Sequence, residues 1–190
     1  MKRLLLPLLL LLAVPLSAQN WEVGIHGYAQ EYATATIINP VEPQQTTAWA
    51  GRLGYSIVDF GPCQLQLNAF YAPNVDADVK VAGVTDPTKL SHEYVGAGVM
   101  FNFKAFIAFG AGLDYRSEKL GAGTTSTTYG RGWARANVGF AFPFPVVKPF
   151  IMVEVAAPLS KTDYNGGNQE EALKSLAPKM QVGIYAGIRF

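Results

Sequence analysis

From Trp21 onward, apolar and polar residues alternate with a period of two, the signature of strands whose faces meet different surroundings. Over Trp21–Gln30, one face carries Trp21, Val23, Ile25, Gly27 and Ala29, and the other Glu22, Gly24, His26, Tyr28 and Gln30. The same grammar recurs over Ala48–Ile57, Cys63–Tyr71, Tyr94–Phe103, Ala105–Arg116, Thr128–Phe142, Val147–Ala157 and Lys179–Phe190. Eight strands of about ten residues match the length of a tilted membrane crossing, and an even number suits closure.

The joints add a second regularity. Short ones are expected at Val58–Pro62, near Lys104 and at Pro143–Val146, and long ones at Glu31–Thr47, Ala72–Glu93, Ser117–Thr127 and Pro158–Pro178. Short turns at one end and long loops at the other mark an up-and-down membrane barrel, its short end toward the periplasm. Within the long joints, Val79–Val84 keeps a strand-like alternation and is expected to extend its hairpin above the membrane. Asn168–Leu176 is expected to form two helical turns.

Composition decides which face is inside. Only 15% of the residues are charged against 49% hydrophobic, and the net charge is +1, which excludes a disordered chain and a basic nucleic-acid binder. The apolar face carries no charge in any of the eight stretches, whereas the other mixes Arg, Glu, Lys, Asn and Gln with glycine. A soluble, lipocalin-like barrel, the competing arrangement, turns its polar face outward. The expected fold is therefore all-β, an eight-stranded antiparallel up-and-down transmembrane β-barrel with a filled lumen. Glu22, His26, Arg52, Asn68, Arg135, Lys148, Glu154, Tyr185 and Arg189 are its expected interior polar network, pairing acids with bases because an unpaired buried charge is costly. Gly96, Gly98, Ala108, Gly110 and Gly112 leave room opposite long side chains, and Phe70, Phe106, Trp133 and Phe150 are expected to pack inward at the lumen ends. Interface girdles are expected from Tyr71, Tyr115 and Tyr129 at the loop end, and from Trp21, Phe60, Phe103, Phe142, Phe144 and Phe190 at the turn end.

The first eighteen residues follow a different rule. Lys2 and Arg3 precede the apolar run Leu4–Val14, and Ser17-Ala18 supply small residues for cleavage. Residues 1–18 are expected to be a Sec signal peptide, and 19–190 the barrel domain, placed in the cell outer membrane.

Leader, amphipathic strands, alternating joints and a last strand ending Ile188-Arg189-Phe190 together resemble the small OmpA/OmpX-type outer-membrane barrel family. The resemblance covers the whole mature chain and rests on architecture. It implies that Phe190 and Ile188 form the assembly signal read by the barrel assembly machinery, with outer-membrane lipid and lipopolysaccharide as surroundings. It further implies a structural, adhesive or surface-interaction role through extracellular loops, with a surface partner there. Relatives often carry a peptidoglycan-binding domain after the barrel; with the chain ending at Phe190, that role is not expected.

Candidate chemistry is sparse, so no catalytic residue, cofactor or metal is expected. A lipid A deacylase barrel carries His-x-Ser on one strand, whereas two residues beyond His26 and His92 stand Tyr28 and Tyr94. His26 is expected to be a lumen hydrogen-bond partner and His92 a loop-edge residue. Cys63 is the sole cysteine, a small apolar group on the lipid face. Asp76-Ala77-Asp78 is followed by Lys80 where a calcium loop needs an oxygen ligand, and Asp163–Asn168 is turn chemistry. Gly96/Gly98 and Gly110/Gly112 lack a following helix, so they are strand glycines and not a nucleotide loop. A lipid-modifying enzyme and a small-solute channel stand as the alternatives.

Overall fold

The computed structural model describes residues 20–36, 40–81, 88–161 and 168–190; Met1–Ala18, the expected signal peptide, lies outside them. Strands β1 (Trp21–Tyr32), β4 (Thr46–Phe60), β5 (Cys63–Val81), β6 (Thr88–Lys104), β7 (Ile107–Ala122), β8 (Thr125–Ala141), β9 (Lys148–Pro158) and β10 (Pro178–Arg189) build the wall. Two short strands, β2 (Ala35–Thr36) and β3 (Pro40–Pro43), lie in the first loop, and β3 pairs with the end of β5. Every pairing is antiparallel, and β5–β6 together with β1–β10 closes the circle into an eight-stranded barrel. At the β1–β10 seam Glu22 stands opposite Arg189 and His26 opposite Tyr185. The Trp21 N–H donates to the Phe190 carbonyl at 3.0 Å.

The alternation resolves in the transmembrane sense. Ile25 is 60% exposed and Leu113 56%, while Arg52, Arg135 and Glu154 are buried. A soluble barrel requires the reverse. Nine residues from Cys63 to Tyr71, at about 3.3 Å each and a tilt near 40°, carry β5 through about 20 Å of the axis, close to an apolar band of about 25 Å. Aromatic contacts ring the turn end: Trp21 lies 4.9 Å from Tyr55, Phe103 5.0 Å from Phe109 and Phe106 5.6 Å from Phe140. Tyr71 and Tyr115 stand exposed at the loop end.

Several joints differ from expectation. Ser117–Thr127 is no long loop: β7 and β8 run up to a two-residue turn, where Gly123 supplies a φ of 59°. Most of Ala72–Glu93 is strand, and Val79 and Lys80 continue β5; the tip beyond them lies outside the described residues. Val58–Pro62 narrows to Gly61-Pro62, with Gly61 at φ 69° and a bulge between Ser56 and Val58. Phe106 occupies the β6–β7 turn and is 59% exposed, so it is not lumen packing. Tyr129 turns inward instead of joining a girdle. Most of Asp163–Asn168 lies outside the described residues, and Asn168 caps the expected helix, α1 (Gln169–Ser175), by accepting from the Glu171 N–H at 3.1 Å.

Above Tyr71 and Tyr115 the polarity of the wall inverts. Outward positions become Asp76, Asp78, Lys80, Lys89 and Lys119, all exposed. Inward ones become Ala77, Val79, Leu90 and Leu120, all buried. In β5 a bulge between Ala72 and Val75 shifts the register to achieve this. Leu173, Leu176 and Ala177 from α1 and its C-terminal side pack with Tyr32 on those inward residues, making a small apolar core that lids the loop end.

Gly183 stands where the seam allows no side chain, because a Cβ there would collide with the backbone of Gly27 and Tyr28. Gly183→Val is expected to cost about 2 kcal/mol through overpacking. The check is the fraction of refolded protein that keeps a boiling-dependent shift in electrophoresis; wild-type yield would contradict the assigned seam.

Candidate functional site

The interior is the most constructed part of the molecule. Among the described residues six cations (Arg52, Lys104, Arg116, Arg131, Arg135, Arg189) and four anions (Glu22, Asp114, Glu118, Glu154) are buried there. At mid-height Arg52 grips Glu154 with two bonds, Nη1 to Oε2 at 2.8 Å and Nη2 to Oε1 at 2.5 Å. Asn137 Nδ2 donates to Glu154 Oε2 at 3.3 Å, and His26 Nδ1 lies 3.6 Å from Oε1. Arg135 donates to Asp114 at 2.7 Å and reaches to 3.9 Å from Glu154, joining the two acids. Toward the turn end Glu22 is paired with Lys104 and accepts from the Tyr185 hydroxyl at 2.8 Å. The Tyr185 ring lies 4.0 Å beneath the Arg52 guanidinium, so the lower and middle layers touch.

Toward the loop end the chain of polar contacts continues. Arg116 donates to Gln181 at 2.7 Å, Gln181 donates to Gln30 at 2.7 Å, and the Gln30 amide reaches Tyr32 Oη at 2.7 Å and His92 Nδ1 at 3.1 Å. With Nδ1 accepting, His92 Nε2 carries the proton that faces Glu118 at 3.3 Å. Glu118 collects donors from four further atoms: Arg131 Nε (3.1 Å) and Nη2 (2.8 Å), Tyr129 Oη (3.2 Å) and Trp133 Nε1 (2.5 Å). This carboxylate lies beyond Tyr115, above the apolar band. Burial works to raise its pKa, but the His92 hydrogen bond and the charge of Arg131 outweigh that and hold it at about 2.

Of the residues singled out from the pattern, Glu22, His26, Arg52, Asn68, Arg135, Glu154, Tyr185 and Arg189 are buried inside. Arg52, His26, Arg135 and Glu154 meet in one cluster, and Glu22 and Tyr185 in another. Asn68 faces Gly54 and Gly98 across the ladder, apart from both clusters. Lys148 is a correction. As the first residue of β9 it is only partly buried at the mouth, and Lys104 is the lysine that enters to hold Glu22. Glu22 and Arg189 are seam neighbours without an ion pair between them. His92 is a second correction: it is 1% exposed, because the hairpin rises past it and carries it into the upper lumen. Phe190 and Ile188 lie exposed at the turn end.

The expected network leaves out Lys104, Asp114, Arg116, Glu118 and Arg131, although Asp114, Arg116 and Arg131 stand on the polar faces of their stretches. For those in β6 and β7 the signal was the even-numbered phase, since Asn102 and Lys104 in β6, and Asp114, Arg116 and Glu118 in β7, share the inward face. Neither histidine is hydrogen-bonded to a serine, and no group of metal-ligating side chains gathers, among the described residues.

No family model matches the chain, and no curated protein matches it. Among solved structures it is similar to the crystal structure of Ail, the attachment invasion locus protein of Yersinia pestis. That likeness has a TM-score of 0.42 and 12% identity, covering 90% of this chain and 98% of the other.

Two predictions test the interior. Glu154→Gln leaves Arg52 and Arg135 without their shared acid and should cost about 3–5 kcal/mol in urea unfolding from lipid vesicles; the double change with Arg52→Gln should cost less than the sum of the two. For Glu118 the folded pKa is depressed, so its contribution is complete above about pH 4.5 and fades as pH falls through about 2. The stability difference between wild type and Glu118→Gln should therefore shrink between those values; a constant difference would show that the carboxylate does not titrate with the fold.

Proposed function

We propose that this protein is a closed, non-enzymatic barrel of a bacterial outer membrane, whose role is structural or surface interaction through its loop end. The observation that supports this reading is the pairing of a filled interior with a protruding exterior. From Lys104 to Arg131 the lumen is occupied by interlocked side chains, and the α1 lid closes it above. Above Tyr71 and Tyr115, β5–β8 carry an exposed polar surface that the membrane band does not require. A barrel of eight strands filled by its own side chains is a scaffold and not a pore.

In this reading the turn end faces the periplasm and the projecting strands face outward. Outer-membrane lipid and lipopolysaccharide surround the band, the barrel assembly machinery inserts it through the strand ending at Phe190, and a surface partner meets the hairpins. Nucleic acid, cofactor and metal have no part.

Orientation comes first: Lys89→Cys should react with a membrane-impermeant maleimide on intact cells and Phe144→Cys should not. The reverse pattern inverts the assignment. Cells making the protein should then attach to immobilised protein or polysaccharide surfaces. A variant lacking Val79–Thr88 should lose attachment while keeping its boiling-dependent shift. Equal attachment by both removes the hairpin from the role, and a steady conductance in planar bilayers would replace the scaffold reading with a channel.

A further inference from the structure

Charge accounting in the lumen singles out one residue. Four cations each have an acid: Arg52 has Glu154, Lys104 has Glu22, Arg131 has Glu118 and Arg135 has Asp114. Two remain. Arg116 is compensated by Gln181, by a 3.4 Å approach to Asp114, and by the faces of Trp133, Tyr94 and Phe70 at 4.1, 4.8 and 5.3 Å from its guanidinium carbon. Arg189 has no such direct contact. It is 5% exposed, its Nε and Nη1 have no hydrogen-bond partner, and it forms no ion pair among the described residues. The charges of Asp59 and Glu22 act on it only from beyond ion-pair distance, so the cation carries its desolvation cost with less compensation than its neighbours have.

Arg189 lines a cavity of about 130 Å³ at the turn-end mouth, together with Lys148 and Lys104. Phe142, Phe150 and Pro143 supply apolar walls, which strengthen any charge interaction inside. Lys104 is already committed to Glu22. The acid nearest this mouth, Asp59, accepts from Gln64 Nε2 at 2.8 Å; its charge favours both Arg189 and Lys148, but among the described residues it makes no close ion pair with either. The cavity volume is several times the roughly 30 Å³ share of one liquid water.

We propose that this mouth is a binding site for a small oxyanion, a carboxylate or phosphate group, held by the Arg189 guanidinium and steadied by Lys148. A guanidinium presents parallel N–H donors that match two oxygens of such a group, and the lysine adds a point charge. The group belongs either to a soluble compound of the turn-side compartment or to a lipid headgroup, and the chemistry is the same for both.

The test uses the folded full barrel, ¹⁵N-labelled, in octyl glucoside micelles in a buffer free of oxyanions. Inorganic phosphate and, separately, acetate are titrated in, with chloride at matched ionic strength as the control. The expected result is a saturable shift of the Arg189 Nε–H signal that chloride does not reproduce. Lys148→Gln should weaken it at least threefold, and Arg189→Gln should abolish saturable binding measured by calorimetry. Lys148 is only partly buried, so its variant keeps the test open if Arg189→Gln fails to fold. A non-saturable drift, the same response to chloride, or unchanged affinity in folded Lys148→Gln overturns the site. Micelles doped with phosphatidylglycerol and no free phosphate separate the sources: the same shift assigns the site to a headgroup, and its absence assigns it to a soluble anion.

Discussion

The cost of keeping ionised side chains away from water governs the design of this barrel. A wall that faces lipid must put its polar residues inside, and eight strands enclose too little space for those residues to be solvated as they are at a surface. Each buried charge therefore needs a partner within the tube. Glu154 takes Arg52 through two bonds, Asp114 takes Arg135, and Glu118 gathers every donor within reach. Because these partners come from different strands, the pairs also fix how the wall closes. Arg52 on β4 reaches Glu154 on β9, and Lys104 on β6 reaches Glu22 on β1.

The same constraint explains the division of small and large residues. Long inward side chains fit only where the facing wall is bare. A Cβ on Gly96 would collide with Phe70, and one on Gly24 with Tyr185, the rings over which Arg116, Arg135 and Arg52 lie. Glycine, ring and guanidinium form one packing unit, so the aromatics inside the lumen are not intruders in a polar space. They replace part of the hydration that the arginines gave up.

Much of this was legible in the chain. A two-residue period identifies strands, and an apolar face free of charge says which side meets lipid; together they place Glu22, His26, Arg52, Arg135 and Glu154 inside. Partner choice was not legible. Lys148 and Lys104 carry the same charge at the same end, but Lys104 lies within the turn-end reach of Glu22 whereas Lys148 begins its strand at the rim. Hairpin length was also hidden. Ser117–Thr127 is polar enough to read as loop, and the inward Glu118 and Leu120 that make it strand are recognisable only once the phase is carried past Tyr115. His92 was misplaced for the same reason.

That continued phase locates the membrane boundary more sharply than aromatic residues do. Along β7 the backbone pattern does not change at Tyr115, yet the outward series passes from Leu113 and Tyr115 to Ser117 and Lys119, and the inward series from Arg116 and Glu118 to Leu120. On β6 the outward series passes from Val95 to Glu93, and the inward one from Tyr94 and His92 to Leu90. Below the line the wall has lipid outside and charge within; above it, water outside and a small apolar core within. The Glu93–Lys119 ion pair, 3.1 Å apart with Lys119 exposed and Glu93 half-buried, stands on the water side of the line; facing lipid it would not be tolerated. Burying Leu173 and Leu176 of α1 against Leu90 and Leu120 is favourable only in the upper region, because it removes apolar surface from water and not from hydrocarbon. The lid and the projecting sheet are thus one soluble-type core mounted on a membrane-type barrel, and the Glu118 cluster is the polar layer at which one becomes the other.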